Sequence, residues 1–164
     1  MEKLLGKKEL FHWFVYLHKD TIYTKIIMAE FVSEIKTIPH NQEKVYNVLS
    51  DLTELRTRIG GAIPGDKVSD LVFEPDSCSF SMNPVGQVKL RIVEREPYKT
   101  VKFEAEQLPI ATTMWIQLVE SAADETKVKI TVRMDLPAML KTMMGKQVNE
   151  AIDRLATALT ILPY

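Results

Sequence analysis

The side chains that most often carry chemistry are thinly spread along this chain. Its one thiol, Cys78, sits in "CSFSMN" beside Phe80, on the face of the alternation that reads inward. No cationic neighbour in sequence would lower its pKa, so it reads as an inert buried thiol. The three histidines, His12, His18 and His40, lack metal-ligand spacing and have no carboxylate or cysteine pattern around them. They read as surface or boundary residues. Carboxylates are plentiful, yet they alternate outward on strand-like stretches or fall on a polar helix face. None is planted among apolar positions, where a general acid or base would acquire a shifted pKa. A Ser-His-Asp order, a P-loop, a dinucleotide fingerprint and a Cys-His nucleophile pair are all missing from the sequence. No catalytic residue, metal ligand or cofactor site is therefore assigned. Two polar residues stand apart. Gln117 lies in the strand-like "TTMWIQLVE", and Lys141 at the edge of an apolar helical stripe. The Lys141 ammonium either snorkels to water or meets an anionic head group.

The remaining distinctive chemistry is apolar. The segment "LPAMLKTMMGKQVNEAIDRLATALTILPY" loads its first turns with Met139, Met143 and Met144. The unbranched thioether of methionine adapts to irregular gaps and to variable partners, so these side chains either fill a core or line a cavity.

Composition bounds the rest. A chain of 164 residues, 46% hydrophobic and 26% charged, is the size of one domain with a sizeable core. A net charge of −1 argues against a nucleic-acid partner. No apolar run approaches the roughly 20 residues of a membrane-spanning helix, so integral membrane association is not expected. A single cysteine excludes an intramolecular disulfide and fits a reducing cytoplasm.

The first stretch differs in character from the rest of the chain. "KKELFHWFVYLHKD" carries an apolar run from Leu10 to Leu17 between lysines, but no small-residue cleavage site comes after it, as a signal peptide would require. Met28 opens "MAEFVSEIKTI", a sensible domain start. Residues 1–27 therefore read as an N-terminal extension, either disordered or the product of a wrongly assigned start codon. An added strand or amphipathic helix stays open. Residues 28–164 read as the folded domain.

Within that domain, Glu30 to Ile38 reads as a strand stopped by Pro39. Asn41 is a plausible N-cap for a short helix with Val45, Val48 and Leu49, and Ser50 or Asp51 caps a second with Leu52, Leu55 and Ile59. "GGAIPGD" breaks it. Six strands come next: "DLVFE", "CSFSMN", "QVKLRIVER", "TVKFEAEQ", "TTMWIQLVE" and "TKVKITVRMDL", whose period-2 alternation describes an antiparallel sheet with one buried face. In "TTMWIQLVE", Trp115 and Val119 fall on the outer face, and either the Leu10–Leu17 segment or a second subunit, as in a homodimer, is expected to cover them. The last element reads as a helix with Pro137 at its first position and roughly 35–40 Å long. Its expected apolar stripe is Leu140, Met144, Val148, Ala151, Leu155, Leu159 and Leu162, with Asn149, Asp153, Thr157 and Thr160 opposite. Gly145 within it suggests a close approach or a slight bend.

This order, with "EIKTIPHNQEKVYNVLSDLTEL" at its start, resembles the START-like helix-grip superfamily, also called SRPBCC, which includes polyketide cyclases and dehydratases and lipid-transfer domains. "SFSMNPVGQVKLRIVEREPYKTVKFE" and the terminal "ILPY" look like a bacterial subgroup of small members. The resemblance runs from Glu30 to Tyr164. It implies an α+β fold in which a curved antiparallel sheet of about seven strands, in the order β-α-α-β6-α, wraps a long C-terminal helix. It further implies an apolar cavity between sheet and helix. Matching positions are Phe73, Phe80, Met82, Leu90, Ile92, Phe103, Met114 and Ile116 on the strands, and Leu140, Met143, Met144 and Val148 on the helix. "GGAIPGD" would lie near its mouth. The resemblance is specific for fold and weak for chemistry, because members share a cavity and no catalytic motif. The expected partner is a small hydrophobic or amphipathic ligand such as a lipid, isoprenoid or polyketide-like molecule. A cyclase- or dehydratase-type enzyme using the same cavity, and an interaction module using the outer sheet face, remain the alternatives.

Overall fold

The computed structural model describes residues 25–59, 68–82 and 86–164. Its elements run β1 (Ile26–Val32), β2 (Lys36–Ile38), α1 (Gln42–Leu49), α2 (Leu52–Ile59), β3 (Val68–Phe73), β4 (Ser77–Met82), β5 (Gly86–Glu96), β6 (Thr100–Glu106), β7 (Thr112–Ala122), β8 (Glu125–Pro137) and α3 (Ala138–Thr160). The strands form one antiparallel sheet in the order β1-β8-β7-β6-β5-β4-β3, with β2 also on β8. Residues 1–24 and the "GGAIPGD" loop lie outside the described residues.

The expected first strand is two strands. Val32 pairs with Thr131 and Lys36 with Val128, so Ser33, Glu34 and Ile35 oppose only Lys129 and Ile130. The extra residue makes a bulge, and Ser33 holds it: its N–H donates to Ile130 O at 2.8 Å while its hydroxyl accepts from Ile130 N at 2.9 Å. Strand β1 begins at Ile26, two residues ahead of Met28. The caps agree more closely with the sequence. The Asn41 side chain accepts from Lys44 N at 2.9 Å, and of the two candidates for α2 it is Asp51 whose carboxylate accepts from Thr53 N at 2.9 Å.

Strand β8 runs on to Pro137, which takes the N-cap position, and α3 starts at Ala138. The helix packs chiefly against β8, β1 and β2, at one side of the sheet. Its facing differs from the straight stripe read from sequence. Leu140, Ile152, Ala156 and Leu159 are buried and Met144 and Val148 half-buried, whereas Ala151 and Leu155 are exposed. A spacing of four residues advances the buried face by about 40° at each step, so the stripe winds around the helix as it crosses a twisted sheet. Asp153, expected on the wet face, accepts from Glu34 N at 2.7 Å and so ties α3 to the bulge.

Gly145 is not demanded by close packing. A Cβ there would sit 3.6 Å from Cε1 of Phe31, an ordinary contact. Gly145→Ala is therefore expected to raise stability by about 0.5–1 kcal/mol, seen as a higher denaturant midpoint at unchanged slope.

The outer sheet face covers its own tryptophan. Trp115 is half-buried, with Lys102 Nζ 5.7 Å and Arg133 Cζ 5.0 Å from its ring. Around it the face is charged, with Arg133 paired to Glu30, Arg91 to Glu106 and Lys89 to Glu74. Val119 stays exposed. The Leu10–Leu17 segment expected to cover this face lies outside the described residues.

Candidate ligand-binding face

The concave side of the sheet is graded in burial from one edge to the other. On β8, nearest α3, the inward residues Val128, Ile130 and Leu136 are completely buried. On β7 and β6, Met114, Ile116, Leu118, Val101 and Phe103 are buried as well. From β5 outward the pattern breaks. Val88 and Ile92 are buried, but Leu90 between them is half-buried, as are Cys78, Phe80 and Met82 on β4 and Phe73 on β3. Alternation and register place these on one surface: Cys78 pairs with both Leu90 and Phe73, and Phe80 with Val88. Because α3 lies toward the β1–β8 side, no long helix among the described residues packs across the β3–β5 wing. Helix α2 contributes Leu55 and Ile59, and α3 contributes Met144 and Val148; all four are partly buried against the core.

The strand and helix positions expected to line a cavity thus fall into groups. Ile92, Phe103, Met114, Ile116 and Leu140 are buried members of the core. Phe73, Leu90, Met144 and Val148 are packed against that core with part of each side chain uncovered, and Phe80 and Met82 are half-buried along β4. Met143 is 63% exposed and points off the face turned to the sheet. Leu55 and Ile59, absent from the expected positions, are partly buried against the same core. Their signal was present: with Leu52 they form one stripe on α2, but a stripe does not say which end of the sheet it will meet.

Polar chemistry on this face is sparse. Burial pushes the Cys78 thiol up from its ordinary 9.0 to about 11. The folded protein then keeps a proton that the unfolded chain has lost, so this group lowers stability as pH rises from about 9 to about 11. Cys78→Ala is expected to flatten that alkaline decline in chemical denaturation curves. Burial also raises the Tyr164 phenol, whose O–H donates to Leu159 O at 2.6 Å and whose ring lies 5.4 Å from that of His40. Gln117 is on the other side of the sheet, where its Oε1 accepts from Thr131 Oγ1 at 3.2 Å. Lys141 is exposed on α3. Among the described residues no buried side-chain N or O lacks a partner, and no group of three His, Cys, Asp or Glu is placed to hold a metal ion. No described helix is long and apolar enough to cross a membrane.

Comparison with solved structures places this architecture. Norcoclaurine synthase from Thalictrum flavum, in complex with dopamine and hydroxybenzaldehyde, matches at TM-score 0.66 and 9% identity, over 82% of this chain and 86% of that one. A START superfamily protein from Mycobacterium smegmatis matches at TM-score 0.54 and 13% identity, over 81% and 94%. A protein from Rhizobium loti matches at TM-score 0.54 and 14% identity, over 82% and 99%. No family model matches the chain, and no curated protein matches it. The chain has the START-like helix-grip fold: a wide open antiparallel sheet of eight strands with a long C-terminal helix. At these identities the likeness is one of fold.

Proposed function

We propose that this protein binds a small hydrophobic or amphipathic molecule on the concave face between the β3–β5 wing, α2 and the first half of α3. The observation that carries the reading is the break in burial. Phe73, Cys78, Leu90, Met144 and Val148 face the core side yet keep apolar surface uncovered, and together they present no charged group. Covering such surface with an apolar ligand is favourable by about 25 cal/mol per Å². At about −0.3 kcal/mol per atom, a ligand of about twenty heavy atoms would bind with a Kd of tens of micromolar. Norcoclaurine synthase, whose structure holds two small aromatic molecules, supports the fold's capacity for ligands of this size.

A cyclase- or dehydratase-type reaction needs a group that can exchange protons near neutral pH. On the core side the clearly shifted groups are Cys78 and Tyr164, and burial holds both in their neutral forms. Binding is therefore the better-supported reading. It is tested by titrating the protein with N-phenyl-1-naphthylamine, a neutral apolar fluorophore. The expected result is saturable one-to-one enhancement that fatty acids or quinones compete away. Linear, unsaturable enhancement would defeat the reading.

A further inference from the structure

Helix α2 is fastened by different means at its two ends. At its start Leu52 is buried, and the Asp51 carboxylate accepts from Thr53 N and Glu54 N. The joint with α1 is itself pinned: Arg95 Nε donates to Ser50 O at 3.0 Å, and its Nη2 pairs with Asp76 at 2.6 Å. Burial then falls away along the helix, with Leu55 and Ile59 partly buried and Thr53, Glu54, Arg56 and Thr57 exposed. At the far end the polar fastening comes from Arg58. Its Nη1 donates to Pro163 O at 2.6 Å, and its Nε lies 3.4 Å from Glu54 Oε2, one turn back, which steadies the guanidinium. The acceptor is held by its neighbours, since Leu162 is buried and Tyr164 donates to Leu159 O.

We propose that α2 is a door over the concave face, hinged at Ser50–Asp51 and latched by Arg58 on the Pro163 carbonyl. Its role for a ligand rests on the binding reading above; its motion does not. Turning about the hinge lifts Leu55 and Ile59 away from β3, which α2 meets, and uncovers Phe73 and its partner Cys78. Leu55, Ile59 and the latch hold the far end, whereas Leu52, Asp51 and Arg95 hold the hinge and stay in place as it turns. A charged donor makes the latch one of the stronger single hydrogen bonds. The Arg58 side chain is nonetheless 34% exposed, so water takes over its donors when the bond breaks. Such an opening costs less than unfolding the domain, because the sheet and α3 keep their packing.

Arg58→Met keeps the apolar stem and removes the donors, and Arg56→Met, exposed on the same helix, is the control. The first measurement uses no ligand. It is the rate at which methyl methanethiosulfonate modifies Cys78 in the full chain at pH 8. Arg58→Met is expected to raise that rate about fivefold, the loss of one such bond from the closed form. The rate should depend only weakly on low urea, because opening one short helix exposes little surface. The second measurement is stopped-flow mixing with N-phenyl-1-naphthylamine. Its association and dissociation rate constants both rise about fivefold in Arg58→Met, while Kd changes by less than about twofold, as for a gate. Arg56→Met leaves every rate unchanged. The latch is overturned by an unchanged Cys78 rate in Arg58→Met, or by an equal response to Arg56→Met. Urea dependence as steep as that of global unfolding also overturns it, as do unchanged ligand rates on a parent that binds saturably. A parent that does not bind the fluorophore saturably defeats the binding reading instead, and the thiol rates still decide the latch.

Discussion

Ile152→Ala is expected to destabilise the protein by about 2–5 kcal/mol, whereas Leu155→Ala costs under about 1 kcal/mol. The two residues lie three apart on α3, and both are large and aliphatic. Ile152 is 6% exposed within the core, and Leu155 is 38% exposed. Truncating the first leaves a void between helix and sheet that neighbours refill only in part; truncating the second removes little buried contact. For a chain of this size the Ile152 variant is expected to melt roughly 5–15 °C lower. Thermal denaturation of both variants side by side reads which way the second half of α3 faces. A larger loss for Leu155→Ala would mean that the helix keeps the straight stripe read from sequence, which holds Leu155 and not Ile152. Equal losses would place the two residues equally at the edges of the buried face.

The second large effect is on binding. Met144→Lys is expected to weaken N-phenyl-1-naphthylamine by about 100-fold or more, because a bound apolar ligand would strand an unpaired ammonium, at a cost of several kcal/mol. With the site empty, the half-buried lysine reaches water along its stem, so stability changes little. Leu90→Lys, on the β5 side of the proposed site, is expected to act in the same direction. Val119→Lys, on the outer sheet face, is the control and leaves affinity unchanged. Affinity that falls with Val119→Lys and survives Met144→Lys would put the ligand on the wrong side of the sheet.

Strands were the most legible feature of the sequence, because period-2 alternation depends only on which face meets the core. Val101 and Phe103, and Val128 and Ile130, sit where their spacing puts them. The Asn41 cap was legible for a similar reason, since it is a purely local hydrogen bond. The bulge at Ser33 was not. It depends on a serine hydroxyl serving a backbone N–H ninety-seven residues away, and nothing in "FVSEIKTI" announces that partner. The facing of α3 beyond Val148 was also hidden, because a helix alone gives its period and not the twist of the surface beneath it. The candidate site suffered from the same gap. Alternation identifies Phe103 and Leu90 equally as inward residues, but it does not show that Phe103 is buried and Leu90 half-buried, which depends on what packs over each strand.

Cys78 is the sole cysteine and lies on the concave face, paired to Leu90 and Phe73, so its reactivity reports on that face directly. The measurement is its rate of modification by methyl methanethiosulfonate at pH 8, with and without saturating N-phenyl-1-naphthylamine. A ligand seated among Phe73, Leu90, Met144 and Val148 blocks the approach to the sulfur, and the expected rate falls severalfold on saturation. An unchanged rate at full occupancy would show that the molecule binds elsewhere and that the half-buried face is simply the thin edge of the core.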